Sequence, residues 1–187
     1  MRQVLFALLF AIPWINGCAP VLVGGAVATG VVVAEDRRTV GTITEDEVIE
    51  NKAASRIRDK VKDAHVSVTS YNRMVLLTGE VPDAAAKANA EKIARAVENV
   101  RDVYNELEVA GVSSYTARSN DALITSKVKG RFVDGAKFNA FHVKVVTENS
   151  VVYLMGLVKK QEAKDAVEIA RFTSGVRKVV RLFEFLD

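Results

Sequence analysis

Cysteine is almost missing from this chain of 187 residues, Cys18 being the one copy. A lone thiol excludes an intramolecular disulfide framework and any cysteine-built metal site. Histidine is scarce as well: His65 and His142 stand far apart in sequence with no second His or Cys near either, so no metal-ligand spacing is present. No Gly-Xaa-Gly-Xaa-Xaa-Gly or Gly-Lys-Ser/Thr run occurs, which removes the phosphate-cradling loops of nucleotide enzymes. Carboxylates are scattered along helical faces and pair with no nucleophile, so a catalytic role such as cell-wall hydrolysis has no residues to carry it. We expect no enzymatic activity, no cofactor and no metal.

Hydrophobic residues make up 49% of the chain and charged ones 26%, a balance that folds around a core and is not disordered. The net charge of +3 is unevenly placed. From Asp46 to Ala110 there are ten Lys/Arg against twelve Asp/Glu, or −2; from Ser119 to Asp187 there are twelve against eight, or +4. The basic character belongs to the second half.

At the amino end, Arg2 precedes an uncharged apolar run from Val4 to Trp14 that is too short to span a bilayer. Ile15-Asn16-Gly17-Cys18 follows and resembles a bacterial lipoprotein signal. That resemblance implies a signal peptide over 1–17, diacylation of the Cys18 thiol, and acylation of the new amino terminus, so that Cys18 is the lipid anchor. Ala19 after the cysteine is similar to lipoproteins sorted to the outer membrane. The competing reading is an uncleaved anchor, because no charge lies between Arg2 and Glu35; Pro13, Pro20 and the glycines disfavour it. Residues 18–43, which include the Ala/Gly/Val-rich Val21 to Ala34 and the charged cluster Glu35-Asp36-Arg37-Arg38, are expected to be a tether.

Regular structure is expected from Thr44, where Thr44-Glu45-Asp46-Glu47 matches a capping box and Ile49, Ala53 and Ile57 give one apolar stripe. His65 to Ser70 and Arg73 to Val81 read as strands around a turn at Tyr71-Asn72. Asp83 after Pro82 caps an alanine-rich helix to about Val97, and Val100 to Val109 reads as a closing strand. The order is helix, strand, strand, helix, strand.

That order repeats. His65-Val66-Ser67-Val68 corresponds to His142-Val143-Lys144-Val145, Leu77-Thr78-Gly79 to Leu154-Met155-Gly156, and Val81 to Val158, displaced by 77; after a one-residue gap Ile93-Ala94-Arg95 and Val100-Arg101 match Ile169-Ala170-Arg171 and Val176-Arg177, displaced by 76. This is a tandem duplication. His65 and His142 are therefore an inherited structural pair, and Gly79 and Gly156 are places where the backbone bends or is closely approached. A strand ending in Leu-Xaa-Gly-Xaa-Val, a helix with Ala-Xaa-Xaa-Ile-Ala and a closing Val-Xaa-Xaa-Val, present twice, resemble the BON domain, named for bacterial osmotic-shock and nodulation proteins. The resemblance implies an α+β fold: two tandem αββαβ domains, each with two helices packed on a small three-stranded mixed sheet, at 44–110 and 119–187, with a linker over 111–118. It also implies an outer-membrane lipoprotein at the periplasmic face that binds anionic phospholipid through its second domain and supports envelope integrity.

The residues locate that site. In the second repeat Ile124, Val128 and Phe132 form the buried stripe of a helix expected from Asn120 to Val133. The opposite face carries Leu123, Ser126, Gly130 and Val133, with Lys127 and Lys129 on its margins and Arg131 beside it. The equivalent face in the first repeat carries Asn51, Ser55, Arg58, Asp59 and Lys62. An apolar, small face rimmed by lysines suits the boundary between head groups and acyl chains. Lys137 on the next loop extends it, while Phe138 and Phe141 fit either the patch or the core. Where Leu123 stands, the resemblance implies that some relatives carry a large aromatic. The partner expected is an anionic phospholipid membrane, and nucleic acid is excluded by compartment and by the missing Gly-Xaa-Xaa-Gly loop. A second expectation, of a different class, is an adaptor that holds an envelope protein through the acidic first repeat or its sheet edge.

Overall fold

A computed structural model describes residues 36–186. The expected signal peptide, the Cys18 anchor and the tether as far as residue 35 lie outside the described residues.

Two copies of the expected order appear. Helix α1 (Val40–Lys60) is followed by strands β1 (His65–Tyr71) and β2 (Met74–Val81), helix α2 (Ala84–Arg95), and strands β3 (Asp102–Asn105) and β4 (Glu108–Val109). Helix α3 (Tyr115–Gly135), a 3-10 turn (Ala140–His142), strands β5 (Val143–Glu148) and β6 (Val151–Val158), helix α4 (Lys160–Arg171) and strand β7 (Lys178–Phe185) make the second copy. In each sheet the middle strand pairs antiparallel with its hairpin partner and parallel with the strand that returns after the helix: β1-β2-β3 with β4 also on β2, and β5-β6-β7.

The middle strands read as nearly continuous apolar runs because both of their faces are covered. Val75 and Leu77 of β2 pack with Ile49, Ala53, Ile57, Ile93 and Ala94 of the helices; Val152 and Leu154 of β6 do the same with Ile124, Val128, Phe132, Ala166 and Ala170. The alternate residues point to the other face. There Tyr71 and Leu76 of the first repeat meet Val151, Tyr153 and Met155 of the second in a third apolar cluster. The two sheets therefore lie face to face inside one compact unit, with helices on the outside of each.

Gly79 and Gly156 answer to close approach: a Cβ would fall 2.0 Å from the His65 carbonyl oxygen at Gly79 and 2.3 Å from that of His142 at Gly156. No other residue fits there.

Four boundaries differ from the sequence reading. Helix α1 starts at Val40, capped by the Thr39 hydroxyl, which accepts from the Thr42 N–H at 3.1 Å, so Thr44 is inside the helix, its hydroxyl on the Val40 carbonyl, and the 44–47 capping box does not form. Arg37 and Arg38, expected within the 18–43 tether, are bonded into the body. Helix α3 starts at Tyr115 under a Ser114 cap, not at Asn120, which shortens the 111–118 linker. The expected Val100 to Val109 strand is split: Glu106 N–H bonds the Leu77 carbonyl while Leu107 turns fully inward, leaving β3 and β4 as separate pieces. The hairpin turn falls at Asn72-Arg73, both with positive φ, and again at Asn149-Ser150.

Candidate membrane-facing site

Ser114 starts α3 by accepting from the Ala117 N–H, and Ala136, in the left-handed region, ends it. Between them Asp121, Ile124, Val128 and Phe132 turn inward on a seven-to-eight-residue double turn. Asp121 is buried for a reason the sequence reading missed: its two carboxylate oxygens accept the Asn149 and Ser150 N–H groups, each at 2.8 Å. Asp46 does the same for Asn72 and Arg73 at 2.8 and 2.7 Å. In each repeat a helix carboxylate thus holds the left-handed hairpin turn, whose N–H groups have no strand partner. The signal was legible, since Asp46 and Asp121 occupy equivalent places three residues before Ile49 and Ile124.

With that stripe inward, the expected site residues face out together. Leu123 is 60% exposed and Val133 is 66% exposed, and Ser126, Lys127, Lys129, Gly130 and Arg131 are all exposed. The Ser126 hydroxyl turns back to the Ala122 carbonyl at 3.0 Å, which lowers the polarity of the face between the two apolar residues. A Cβ on Gly130 would meet nothing within 4 Å, so no packing inside the protein asks for glycine there. Arg131 departs from the group in role: its guanidinium donates to the Phe172 carbonyl and, at 3.3 Å, to the Thr173 hydroxyl, fixing α3 to the end of α4. Arg56 makes the equivalent bond to the Ala96 carbonyl in the first repeat, which marks it as part of the scaffold. Lys137 lies 4.0 Å from Asp165 and is half exposed.

The two phenylalanines separate. Phe138 packs on the second core with its ring edge against Phe132, centroids 5.0 Å apart. Phe141 is 52% exposed on the 3-10 turn.

An apolar residue missed in the sequence is Phe172. It caps the end of α4, is 66% exposed, and has the Arg171 guanidinium 5.2 Å from its ring centre. The duplication carried the signal, for the equivalent residue in the first repeat is Ala96. Through the Arg131 bond, Phe172 is held against α3 on the Lys127 margin. Among the described residues no group of three or more His, Cys, Asp or Glu could hold a metal ion, and no helix is long and apolar enough to cross a membrane.

Comparison with known proteins matches residues 45–111 and 120–187 to the BON domain. Over 184 residues the chain is 40% identical to the outer membrane lipoprotein DolP of Haemophilus influenzae, covering 96% of this chain and 94% of that one. It is 33% identical over 155 residues to a 21 kDa hemolysin of Actinobacillus pleuropneumoniae, covering 81% and 80%. It is 31% identical over 180 residues to osmotically-inducible protein Y of Escherichia coli, covering 85% and 90%.

Proposed function

Because this chain belongs to the BON-domain family, in two copies, we propose that it is a non-catalytic lipoprotein held in the outer membrane at the periplasmic face through Cys18, whose second repeat docks on anionic phospholipid. The anchor reading rests on Gly17-Cys18 behind a short apolar run and on the likeness, along nearly the whole chain, to a protein named as an outer membrane lipoprotein.

The observation that carries the lipid reading is the outward face of α3, where Leu123 and Val133 stand exposed between Lys127 and Lys129. The apolar pair suits the acyl boundary and the lysines the phosphates, each cation contributing on the order of 1 kcal/mol at an anionic surface. Phe172 beside this face supplies aromatic area that Leu123 lacks. Contact of this strength is weak alone, but a neighbouring acyl anchor holds it at high effective concentration.

Flotation of the soluble fragment from Asp36 to Asp187, which carries neither the apolar run nor the thiol, separates the contact from the anchor. We expect recovery with phosphatidylglycerol vesicles and not with phosphatidylcholine vesicles, reduced about tenfold by Leu123→Glu and weakened by salt. Equal, negligible recovery with both vesicles, or indifference to Leu123→Glu, rules the reading out.

A further inference from the structure

In each repeat the second helix lies beside the last strand of its sheet, and side-chain bonds join the two in one repeat and not in the other. In the first repeat the Lys87 ammonium donates to the Leu107 carbonyl at 2.6 Å, and the Asn105 amide donates to the Lys87 carbonyl at 3.1 Å and to Glu91 at 3.0 Å. Arg95 adds bonds to Asp102 and the Val103 carbonyl. These lace α2 to an edge that is already broken between β3 and β4.

At the positions of Lys87, Glu91 and Asn105 the second repeat has Ala163, Val167 and Arg181. Among the described residues no side-chain hydrogen bond crosses from α4 to β7. A groove of about 570 Å³ lies there, lined by Val167, Phe183 and Phe185 and by Lys160, Lys164 and Arg181. The three cations replace Ala84, Ala88 and Asn105 of the first repeat, and the two phenylalanines replace Leu107 and Val109. Strand β7 runs unbroken for eight residues and pairs, among the described residues, with β6 alone. Its outer edge therefore presents backbone donors and acceptors beside a cationic, apolar channel.

We infer that the β7 edge of the second repeat is a strand-addition site for an extended segment of a partner polypeptide in which acidic and apolar side chains alternate. The backbone edge selects a peptide, since a lipid has no row of amides to pair with it. Arg181, Phe183 and Phe185 recur every second residue on one face, the period at which an added strand sets down its own side chains. Lys160, Lys164 and Arg181 select acidic groups by charge. This site uses α4 and β7, not the outward face of α3, so it succeeds or fails independently of the lipid reading.

The test is fluorescence anisotropy with the full chain in neutral detergent and a labelled peptide of about eight residues alternating Glu and Val. Saturable binding is expected, with about a tenfold loss for Lys164→Glu, an exposed change that spares the core, and a similar loss for Val167→Glu, which restores the first-repeat residue. A Lys-Val peptide, or the Glu-Val peptide N-methylated at alternate residues, is expected not to bind, while phosphatidylglycerol flotation by the two variants stays as in the parent. The inference is overturned if no saturable binding appears, if the N-methylated peptide binds equally well, if both variants bind unchanged, or if anionic lysolipid occupies the groove with the peptide showing no dependence on its backbone.

Discussion

Single residues hold the two hairpins in place. Asp46 and Asp121 sit at 3% and 6% exposure, yet each is satisfied by backbone N–H groups of a turn whose residues have positive φ. Replacing Asp121 with Ala removes two charge-assisted bonds to Asn149 and Ser150, and we expect it to cost about 2 kcal/mol by urea unfolding at pH 7. An unchanged midpoint would mean that water serves the turn equally well. Glu148 behaves oppositely. Burial, reinforced by the charges of Glu80 and Asp121, pushes its carboxyl up to about 7. A carboxyl raised in the folded state binds its proton more tightly there, so its contribution is full below about pH 4.5 and is lost as pH rises through about 7. Glu148→Gln is therefore expected to stabilise the protein at pH 8 by about 1 kcal/mol, discounted for the solvent-facing part of the group, and to flatten the stability profile from pH 5 to 8. Denaturant titrations of both proteins across that range check it, and parallel profiles would refute the assignment.

Helix α3 shows what an element adds to its residues. Its stripe was readable from the spacing of Ile124, Val128 and Phe132 alone, and the outward position of Leu123 and Val133 follows from helix geometry. Its start at Tyr115 was not readable, because Ser114 competes as a cap with the polar run around Asn120, and it is the Ser114 hydroxyl that accepts the Ala117 N–H at 3.2 Å. Gly130 offers a test at this scale. Nothing surrounds it, so Gly130→Ala is expected to raise stability by roughly 0.5 to 1 kcal/mol through helix propensity. If it also weakens flotation with anionic vesicles, the glycine is kept for close approach to the membrane; thermal melts and flotation on the same preparation measure both. The edge strands make the complementary point. Val100 to Val109 and Val176 to Phe185 look equally strand-like, yet the first breaks where Leu107 turns into the core, and the second continues.

Across the whole molecule the two repeats are one body. Leu76 is fully buried in the cluster between the sheets, far in sequence from its partners Tyr153 and Met155. Polar bonds cross at several places: Lys144 to Glu50 at 2.7 Å, Asn72 and Arg101 to Glu184 at 2.9 and 2.8 Å, and Asn149 to Glu108 at 3.1 Å. Arg37 reaches Glu162 at 2.6 Å and the Leu157 carbonyl at 2.8 Å, and this bond pulls the Glu162 carboxyl down to about 2. Arg38 grips Asp46 at 2.7 Å and lies over the Tyr71 ring. The segment coming from the anchor therefore holds both repeats at once. Leu76→Ala is expected to cost about 2 to 4 kcal/mol and to lower amide hydrogen-exchange protection in β6 as well as β2. Loss confined to β2 would show that the repeats open separately.

The amino-acid sequence by itself determined the duplication, the element order, the helix stripes and the polarity of the α3 face, because each depends on local spacing that survives in a linear string. The tertiary structure alone decided that the sheets meet face to face, that Phe138 closes the core while Phe141 stays out, and that side-chain bonds join helix to edge strand in the first repeat and not in the second. Those outcomes depend on which surfaces meet across the chain, and contacts of that kind leave no period in the sequence.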